Sequence, residues 1–363
     1  MDTKFLLSRK PPSASMSPKE LDHHLPYSPD LLPGGRDVNS PYGRIRLYEW
    51  GPEEGKKVLF IHGLSTPAPA LGTVADTLTQ RGCRVMILDL WGRGYSDAPM
   101  DLKHDSRLYA TQILLAISTS PTSWTGSKSG GFSLVGYSMG GGVVVSFAGY
   151  FPQLINSVVL MAPGGLYTSL PPEYHALHVR YSWIFPSKYV KYAIRKLLNG
   201  TTGAVSQDET TFPNSQSNYG IQASTKCSPR IVVSPEISLD VPAVVNWEID
   251  NNRAFIHSVT SSIRHAPIEN QFSAWSFLRT LIEENEGSKT VSGQPNRLSG
   301  TKVLLLVGNQ DSILPKHQLC RNAQNALGSE NVEIMGFNGG HDFPITHGVE
   351  VAETVSDFWK IQV

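Results

Sequence analysis

Residues 136–141, with the sequence Gly-Tyr-Ser-Met-Gly-Gly, decide the fold of this chain. They follow the apolar run 132–135 and precede a second apolar run, 142–148, a pattern that predicts a strand, a sharp turn and a helix. The glycines on either side of Ser138 have no Cβ, so the strand and the helix can approach closely at the turn. This arrangement presents the Ser138 hydroxyl at the carboxyl end of a buried sheet, beside the free backbone N–H of Met139.

Short apolar runs of the same kind recur along the chain and predict further buried strands. These runs occupy residues 58–61, 84–88, 157–161, 302–307 and 332–335, and an alternating pattern at 44–50 predicts a half-exposed strand. Helical patterns lie between and after them, for example at 71–81 and 349–359. Strands that alternate with helices predict an α/β fold with a mostly parallel sheet and right-handed crossovers.

Two long segments interrupt this alternation. Residues 1–41 are polar and rich in proline, which predicts an irregular leader. Residues 163–300 contain aromatic and basic helical stretches, a polar stretch and a tract rich in glycine and serine. We interpret this second segment as an inserted, mainly helical cap over the carboxyl ends of the strands, with a second independent domain as the alternative. The predicted core then comprises residues 42–162 and 301–363.

Composition excludes several classes of protein. The 363 residues contain 31 Lys and Arg and 31 Asp and Glu, so the net charge does not indicate a nucleic acid or an anionic membrane as partner. The spacing of Cys83, Cys227 and Cys320 fits neither a metal site nor a disulfide framework, which predicts reduced thiols. No run approaches the roughly 18 apolar residues of a membrane-spanning helix.

Targeting signals are also missing from the sequence. The apolar run 5–7 is far too short for the core of a signal peptide, and the C-terminal residues 361–363 match no retention or peroxisomal signal. We therefore expect a cytoplasmic protein. The sequence leaves its oligomeric state open.

A serine hydroxyl becomes a nucleophile only with a base within hydrogen-bond reach and a third group that orients the base. His341 is the candidate base, because it lies in a glycine-flanked loop between the last predicted strand and the final helix. Asp311 is the candidate acid and follows the end of the preceding strand. Asp342 is a weaker candidate, since an ordinary loop would point it away from the imidazole. We predict that Ser138, Asp311 and His341 form a catalytic triad.

A second turn supplies candidates for an oxyanion hole. Residues 62–65, His-Gly-Leu-Ser, directly follow the predicted strand 58–61, and the tight turn aims the backbone N–H of Leu64 at the reacting centre. Together with the N–H of Met139, it would provide two donors for a developing negative charge. His62 itself is expected to be structural. This chemistry requires no metal ion and no organic cofactor.

Taken together, these motifs resemble the α/β-hydrolase superfamily, in its cap-bearing branch with a serine nucleophile. The matching stretches are 62–63, 89–97, 136–141, 308–311 and 339–341, which together span about residues 44 to 360. The resemblance implies an α/β-hydrolase fold with an eight-stranded sheet flanked by helices and a pocket between core and cap. It also implies that residues 89–97 support the core and the pocket without a catalytic role.

Aromatic residues of the predicted cap are candidates for the wall of that pocket. Aromatic side chains at helical spacing are more often part of a core, so this is the weakest of the site predictions. The residues concerned include Trp183, Phe185, Trp247 and Trp275.

The triad and the resemblance imply a serine hydrolase that cleaves a carboxylic ester, lactone or thioester through an acyl-enzyme on Ser138. The expected partner is therefore a small-molecule acyl substrate. A serine at this position argues against epoxide hydrolases and haloalkane dehalogenases, which have an aspartate, and the His-Gly-Gly-Gly loop typical of carboxylesterases is missing at residues 62–65.

Three alternatives remain open. The first is a carbon–carbon bond hydrolase of β-diketone-like substrates, although its oxyanion loop is usually richer in glycine than residues 62–67. The second is an acyltransferase or cyclase of a biosynthetic pathway on the same scaffold. The third is a ligand-binding receptor with a disabled site, against which the intact set of three candidate residues argues.

Overall fold

We analysed a computed structural model of the chain. It describes residues 5–6, 27–125, 130–169, 172–175, 182, 184–201, 230–234, 237–284, 289 and 293–361. The strands are β1 (Phe5–Leu6), β2 (Gly35–Ser40), β3 (Gly43–Trp50), β4 (Lys56–Ile61), β5 (Cys83–Leu88), β6 (Ala98–Pro99), β7 (Phe132–Tyr137), β8 (Ile155–Met161), β9 (Arg230–Ser234), β10 (Ile237–Asp240), β11 (Val303–Gly308) and β12 (Val332–Phe337).

From β4 onward the α-helices alternate with the strands of the central sheet, except between β8 and β11, where several helices follow one another. They are α1 (Gly72–Gln80), α2 (Ser106–Ser118), α3 (Met139–Tyr150), α4 (Ser187–Thr201), α5 (Val241–Asn251), α6 (Arg253–His265), α7 (Phe272–Glu283), α8 (Lys316–Leu327), α9 (Phe343–Thr346) and α10 (Gly348–Phe358).

An eight-stranded sheet with the order β12-β11-β8-β7-β4-β5-β3-β2 forms the centre of the structure. Strands β4, β5, β7, β8, β11 and β12 are parallel, whereas β3 pairs antiparallel with β5 and β2 pairs antiparallel with β3. The predicted α/β-hydrolase fold with a mostly parallel eight-stranded sheet is thereby confirmed. Every residue of β7 and β11 is buried, as expected for parallel strands covered by helices on both faces.

Strand β2 lies inside the segment predicted to be an irregular leader, so residues 1–41 are not irregular throughout. Gly35–Ser40 pairs along its whole length with β3, and only Val38 of the strand is buried. A polar edge strand has no apolar run in its sequence, because its outer face and edge remain in water. Residues 1–4 and 7–26 of the predicted leader lie outside the described residues.

The long insertion lies between β8 and β11, which are neighbours in the sheet. Helix α5 packs against both α4 and α6, which fits the helical cap that we propose for residues 163–300. Helix α7 differs, because it packs against α3 and α8, the helices that flank the sheet. At least one helix of the predicted cap segment therefore extends the helical layer of the core.

Two further predictions concern thiols and membranes. Cys83 and Cys320 are free cysteines in the structure, and burial raises the pKa of the Cys83 thiol to about 11. Cys227 lies outside the described residues. Of the helices described above, none combines the length and the apolar character that crossing a bilayer requires.

Candidate active site

The turn between β7 and α3 holds Ser138 in an unusual backbone conformation, with φ 54° and ψ −121°. A non-glycine residue in such a region costs roughly 1–3 kcal/mol, so its surroundings must hold it there. The Ser138 N–H donates to the Met161 carbonyl over 2.9 Å, and the Ser138 carbonyl accepts from the N–H groups of Gly141 and Gly164 at 2.9 and 2.8 Å. These bonds fix the turn and leave the side chain free to project from the end of β7.

The glycines around Ser138 are required by close backbone contacts. A Cβ on Gly136 would lie 2.6 Å from the Gly140 carbonyl oxygen, and a Cβ on Gly140 would lie 2.2 Å from the Ile61 carbonyl oxygen. Both distances are far below van der Waals contact, so any larger residue would force β7, α3 or β4 apart. The G-x-S-x-G spacing thus allows the helix to start directly above the sheet.

The structure brings Ser138, His341 and Asp311 together although they lie far apart in the sequence. Nδ1 of His341 is 2.8 Å from Oδ2 of Asp311, and Nε2 of His341 is 2.9 Å from Oγ of Ser138. A carboxylate oxygen accepts hydrogen bonds, so the Nδ1–H donates to Asp311 and Nε2 is left to accept from the serine hydroxyl. This is the tautomer in which an imidazole can act as a base toward Ser138.

The acid is held in place by the backbone of its own loop. Oδ1 of Asp311 accepts from the N–H groups of Ile313 and Leu314 at 2.9 and 2.8 Å, while Oδ2 faces His341. The Asp311 side chain is only 1% exposed, so little water competes for these bonds. Asp342 makes no such contact with the imidazole, which agrees with its lower rank as a candidate.

Tyr137 positions the candidate base and was not predicted from the sequence. Its hydroxyl donates to the His341 carbonyl over 3.1 Å, and the two rings lie 5.4 Å apart. Burial, with smaller effects from Asp342 and Asp311, raises the pKa of Tyr137 well above its ordinary value of 10.0, so the hydroxyl stays a donor. Tyr137 lies in the stretch 136–141, but the sequence of this stretch does not reveal which residue accepts the hydrogen bond.

The predicted oxyanion donors lie beside the triad. Leu64 and Met139 line the same cavity as Ser138 and His341. Neither the Leu64 N–H nor the Met139 N–H has a hydrogen-bond acceptor within the described part of the chain. Two unengaged donors at one cavity can hold a developing negative charge, which is what an oxyanion hole requires.

The rest of the cavity wall is mainly apolar. Tyr174, Leu198 and Ile268 come from the insertion, and Ile313 and Leu314 come from the loop that carries Asp311. No sequence signal marked these residues, because each is an ordinary apolar residue until folding brings it to the cavity. The wall therefore combines the loops at the ends of the strands with the proposed cap.

Three of the four aromatic residues predicted for the wall belong to the described part of the chain, and none of these three is among the residues that line the cavity there. Trp275 is fully buried, in the helix α7 that packs on α3, and its indole nitrogen lies close to Gly165. Phe185 is partly exposed and Trp247 is half-buried on α5, and neither is among the described residues that line the cavity. Trp183 lies outside the described residues.

His62 has the structural role expected from the sequence. Its Nε2 accepts from the Leu90 N–H over 2.8 Å, and its Nδ1 donates to the Gly63 carbonyl over 2.9 Å. Burial chiefly lowers the pKa of His62 to about 3, because a second proton would face the Leu90 N–H with no water to solvate the charge. The neutral imidazole thereby connects the turn 62–65 to the loop after β5.

This buried imidazole predicts a specific pH dependence of stability. In the unfolded chain a histidine has a pKa near 6.5, so below that pH the unfolded state binds a proton that the folded state refuses. The contribution of His62 is thus fully present above pH 6.5 and is lost as the pH falls toward 3, at about 1.4 kcal/mol per pH unit. The stability advantage of wild type over His62→Gln should therefore shrink by about 2 kcal/mol between pH 6.5 and 5.

Urea denaturation of wild type and His62→Gln across this range measures the effect. Glutamine keeps an acceptor for the Leu90 N–H, so the variant should still fold. His317→Gln, at an exposed position on α8, is the control for loss of an imidazole. If the free energies of unfolding of wild type and His62→Gln changed in parallel with pH, the lowered pKa of His62 would be contradicted.

Comparisons with known proteins place the chain in a family. The family model for the alpha/beta hydrolase fold matches residues 56–348. The chain is 31% identical over 133 residues to a "Serine hydrolase-like protein" from Danio rerio, a match that covers 37% of this chain and 38% of that protein. It is 29% identical over 140 residues to a "2-hydroxymuconate semialdehyde hydrolase" from Pseudomonas putida, covering 38% of this chain and 46% of that protein. These matches span less than half the length of the curated relatives.

Solved structures share the fold over a longer range. An esterase from Exiguobacterium antarcticum superimposes with a TM-score of 0.60 at 15% identity, covering 90% of this chain and 99% of the esterase. A bromoperoxidase from Bacillus anthracis has the same TM-score at 17% identity, with coverage of 90% and 99%. Such low identities show a common fold and do not transfer an activity. Because the family model covers most of the chain and the central sheet has the expected order, this chain belongs to the α/β-hydrolase family.

Proposed function

We propose that this protein is a serine hydrolase that cleaves carboxylic esters, lactones or thioesters through an acyl-enzyme on Ser138. The observation that carries the proposal is the continuous hydrogen-bonded line from Asp311 through His341 to Ser138, with distances of 2.8 and 2.9 Å. A serine in this arrangement has both a base to remove its proton and a group that stabilises the base once it is charged.

In the first half-reaction Ser138 Oγ attacks the substrate carbonyl while His341 Nε2 takes the hydroxyl proton. Asp311 keeps Nδ1 protonated and stabilises the imidazolium that forms. The carbonyl oxygen becomes an oxyanion, for which the N–H groups of Leu64 and Met139 would be donors worth about 3 kcal/mol of barrier each. His341 then returns the proton to the leaving alcohol or thiol, and the acyl group remains on Ser138.

In the second half-reaction water replaces the alcohol. His341 Nε2 removes a proton from the water, the hydroxide attacks the acyl carbon, and the same two N–H groups hold the second oxyanion. Collapse of this intermediate returns the proton to Ser138 Oγ and releases the acid. The enzyme is then in its starting state.

The cavity wall supports an apolar acyl group as the preferred substrate part. The described residues that line the cavity include His341 but no Lys, Arg, Asp or Glu. The aliphatic side chains that line the cavity include Leu198, Ile268, Ile313 and Leu314. Apolar walls with a few convergent polar groups are typical of small-molecule sites, in which the apolar part supplies affinity and the polar part orients the bond.

A carbon–carbon bond hydrolase is the second candidate. It is favoured by the partial match to a relative from Pseudomonas putida whose named substrate is a semialdehyde and not an ester. The same triad could serve such a reaction. The sequence of the turn 62–65 argues against a carbon–carbon bond hydrolase, since Gly63 is followed by Leu64 and Ser65 instead of further glycines.

Hydrolysis in ¹⁸O-labelled water tests the proposal. The purified protein is incubated with a panel of p-nitrophenyl esters, a lactone, a thioester and a β-diketone. Mass spectrometry then measures how much ¹⁸O the products contain. We expect one labelled oxygen in the acid released from an ester, lactone or thioester. Turnover without label would indicate acyl transfer or cyclisation, and turnover of the β-diketone alone would favour the second candidate. Failure of a fluorophosphonate to label Ser138 would point to a receptor.

A further inference from the structure

Arg93 is a fully buried cation outside the triad. It lies in the turn 89–97, for which the family resemblance implies no catalytic role, and its side chain has no exposed surface. Arginine is almost never fully buried without a carboxylate partner, because removing its charge from water is costly. Among the described residues, however, no carboxylate lies within ion-pair distance of Arg93. Its burial therefore needs another explanation.

Neutral acceptors surround the guanidinium on all sides. Nε donates to the Leu64 carbonyl at 3.0 Å, Nη1 to the Trp91 carbonyl at 2.8 Å and the Tyr109 hydroxyl at 2.9 Å, and Nη2 to Ser262 Oγ at 2.9 Å. Met139 Sδ lies 4.0 Å from Nη2. A guanidinium has five N–H groups, so every donor has an acceptor within reach, and none of these acceptors carries a formal negative charge.

Two of these five contacts are made to the predicted oxyanion donors. Arg93 donates to the carbonyl of Leu64 and contacts the side chain of Met139, and both residues line the cavity beside Ser138. Fixing the Leu64 carbonyl limits rotation of that residue, so its N–H keeps its direction. A fully buried positive charge in contact with both residues attracts an oxyanion more strongly than the same charge would in solvent.

The remaining contacts connect Arg93 to α2 and to the insertion. Tyr109 is on α2 and Ser262 is on α6, and their hydroxyl oxygens lie 2.7 Å apart. Ser262 Oγ donates to the Ser258 carbonyl, so it accepts from both Arg93 and Tyr109. Helix α6 thereby closes the polar shell around the guanidinium and excludes water from it.

We propose that Arg93 is a positioning residue of the oxyanion hole, which orients Leu64 and Met139 and places next to them a buried positive charge, bonded to no described carboxylate, that stabilises the tetrahedral intermediate. The proposal rests on the proposed serine-hydrolase function. Its counter-charge is the oxyanion itself, which exists only during the reaction. The effect of Arg93 should therefore be found in the chemical step and not in substrate binding.

The experiment compares Arg93→Met with Arg93→Lys. Methionine removes the positive charge, whereas lysine keeps the charge but loses the planar guanidinium and its five N–H donors. Steady-state kinetics use the p-nitrophenyl ester that wild type cleaves best, with active sites counted by fluorophosphonate titration. We expect kcat to fall about 100-fold in Arg93→Met, the size of a lost oxyanion donor, with KM changed less than about two-fold. Arg93→Lys should lose only about ten-fold, because the charge remains.

The affinity for a phenylalkyl boronic acid distinguishes a role in the oxyanion hole from a purely structural role, which would leave this affinity unchanged. Its tetrahedral adduct on Ser138 places an oxyanion in the hole, so its Kd should rise in parallel with the loss of kcat, whereas the Kd of the product acid should not. Arg46→Met is the matched control, because Arg46 is also a buried arginine but is bonded to Asp37 and the Pro29 carbonyl. It should lower thermal stability and leave kcat and the boronate Kd unchanged.

The outcomes separate the two proposals. If wild type is not labelled by the fluorophosphonate, the proposed function fails. If wild type is labelled and both Arg93 variants keep wild-type kcat and boronate affinity per active site, Arg93 is only structural and the inference is wrong. If Arg93→Met does not fold, the same comparison is made with Arg93→Lys, whose kcat and boronate affinity must then fall together.

Discussion

Ser138→Ala is expected to lower kcat by about a millionfold, the cost found when a triad serine is removed from a serine hydrolase. The substitution removes the atom that forms the acyl-enzyme, and alanine offers no replacement. The fold should persist, because the backbone bonds of Ser138 to Met161, Gly141 and Gly164 do not involve its side chain. Steady-state hydrolysis of the best p-nitrophenyl ester measures the loss, with circular dichroism as the check on folding.

Ser146→Ala is the matched control for this result. Ser146 lies two turns further along α3, and its buried hydroxyl donates only to the Gly142 carbonyl. Its replacement should leave kcat within a few-fold of wild type. His341→Ala should cost about as much as Ser138→Ala, and the double variant should cost no more, because the two groups act as one unit. Substantial turnover by Ser138→Ala would exclude the acyl-enzyme mechanism.

Asp311→Asn is expected to lower kcat by about 10⁴ through the wrong histidine tautomer. The Asp311 Oδ1 accepts from the N–H groups of Ile313 and Leu314, and an asparagine keeps its oxygen at that position. Its NH₂ group then faces Nδ1 of His341 and forces that nitrogen to accept. The proton moves to Nε2, which can no longer accept from Ser138.

The measurement is kcat of Asp311→Asn and of Asp342→Asn on the same ester. Asp342 is the adjacent carboxyl group and carries the same charge, but it makes no hydrogen bond to the imidazole. Its replacement should therefore change kcat only slightly. A larger loss in Asp342→Asn than in Asp311→Asn would reverse the assignment of the acid.

Much of the core could be predicted because its signals are local. The strands β4, β5, β7 and β11 are continuous apolar runs, since both faces of a central parallel strand are covered by helices. The turn between β7 and α3 could be predicted equally well, because the close contact of strand and helix requires glycine at positions 136 and 140. Strand β2 was missed for the opposite reason: a polar edge strand, buried only at Val38, has no such pattern.

The surroundings of the candidate site could not be predicted, because they come from distant parts of the chain. Trp275 was a plausible wall residue by its type, but α7 packs on the core and buries its indole away from the cavity. Leu198 and Ile268 line the cavity instead, although nothing in their sequence neighbourhoods distinguishes them from core residues. Tyr137 belongs to the stretch 136–141, yet its hydroxyl donates to the carbonyl of His341, which is 204 residues away.

By itself, the sequence determined the α/β class, the parallel sheet and the choice of Ser138, Asp311 and His341 as candidates, since apolar periodicity and glycine spacing are properties of neighbouring residues. Only the tertiary structure decided that these three side chains meet at 2.8 and 2.9 Å, which residues form the cavity wall, and that the buried Arg93 contacts Leu64 and Met139. Those facts depend on how whole helices and loops pack against one another, and the packing of residues some 200 positions apart is not encoded in any short stretch of the chain.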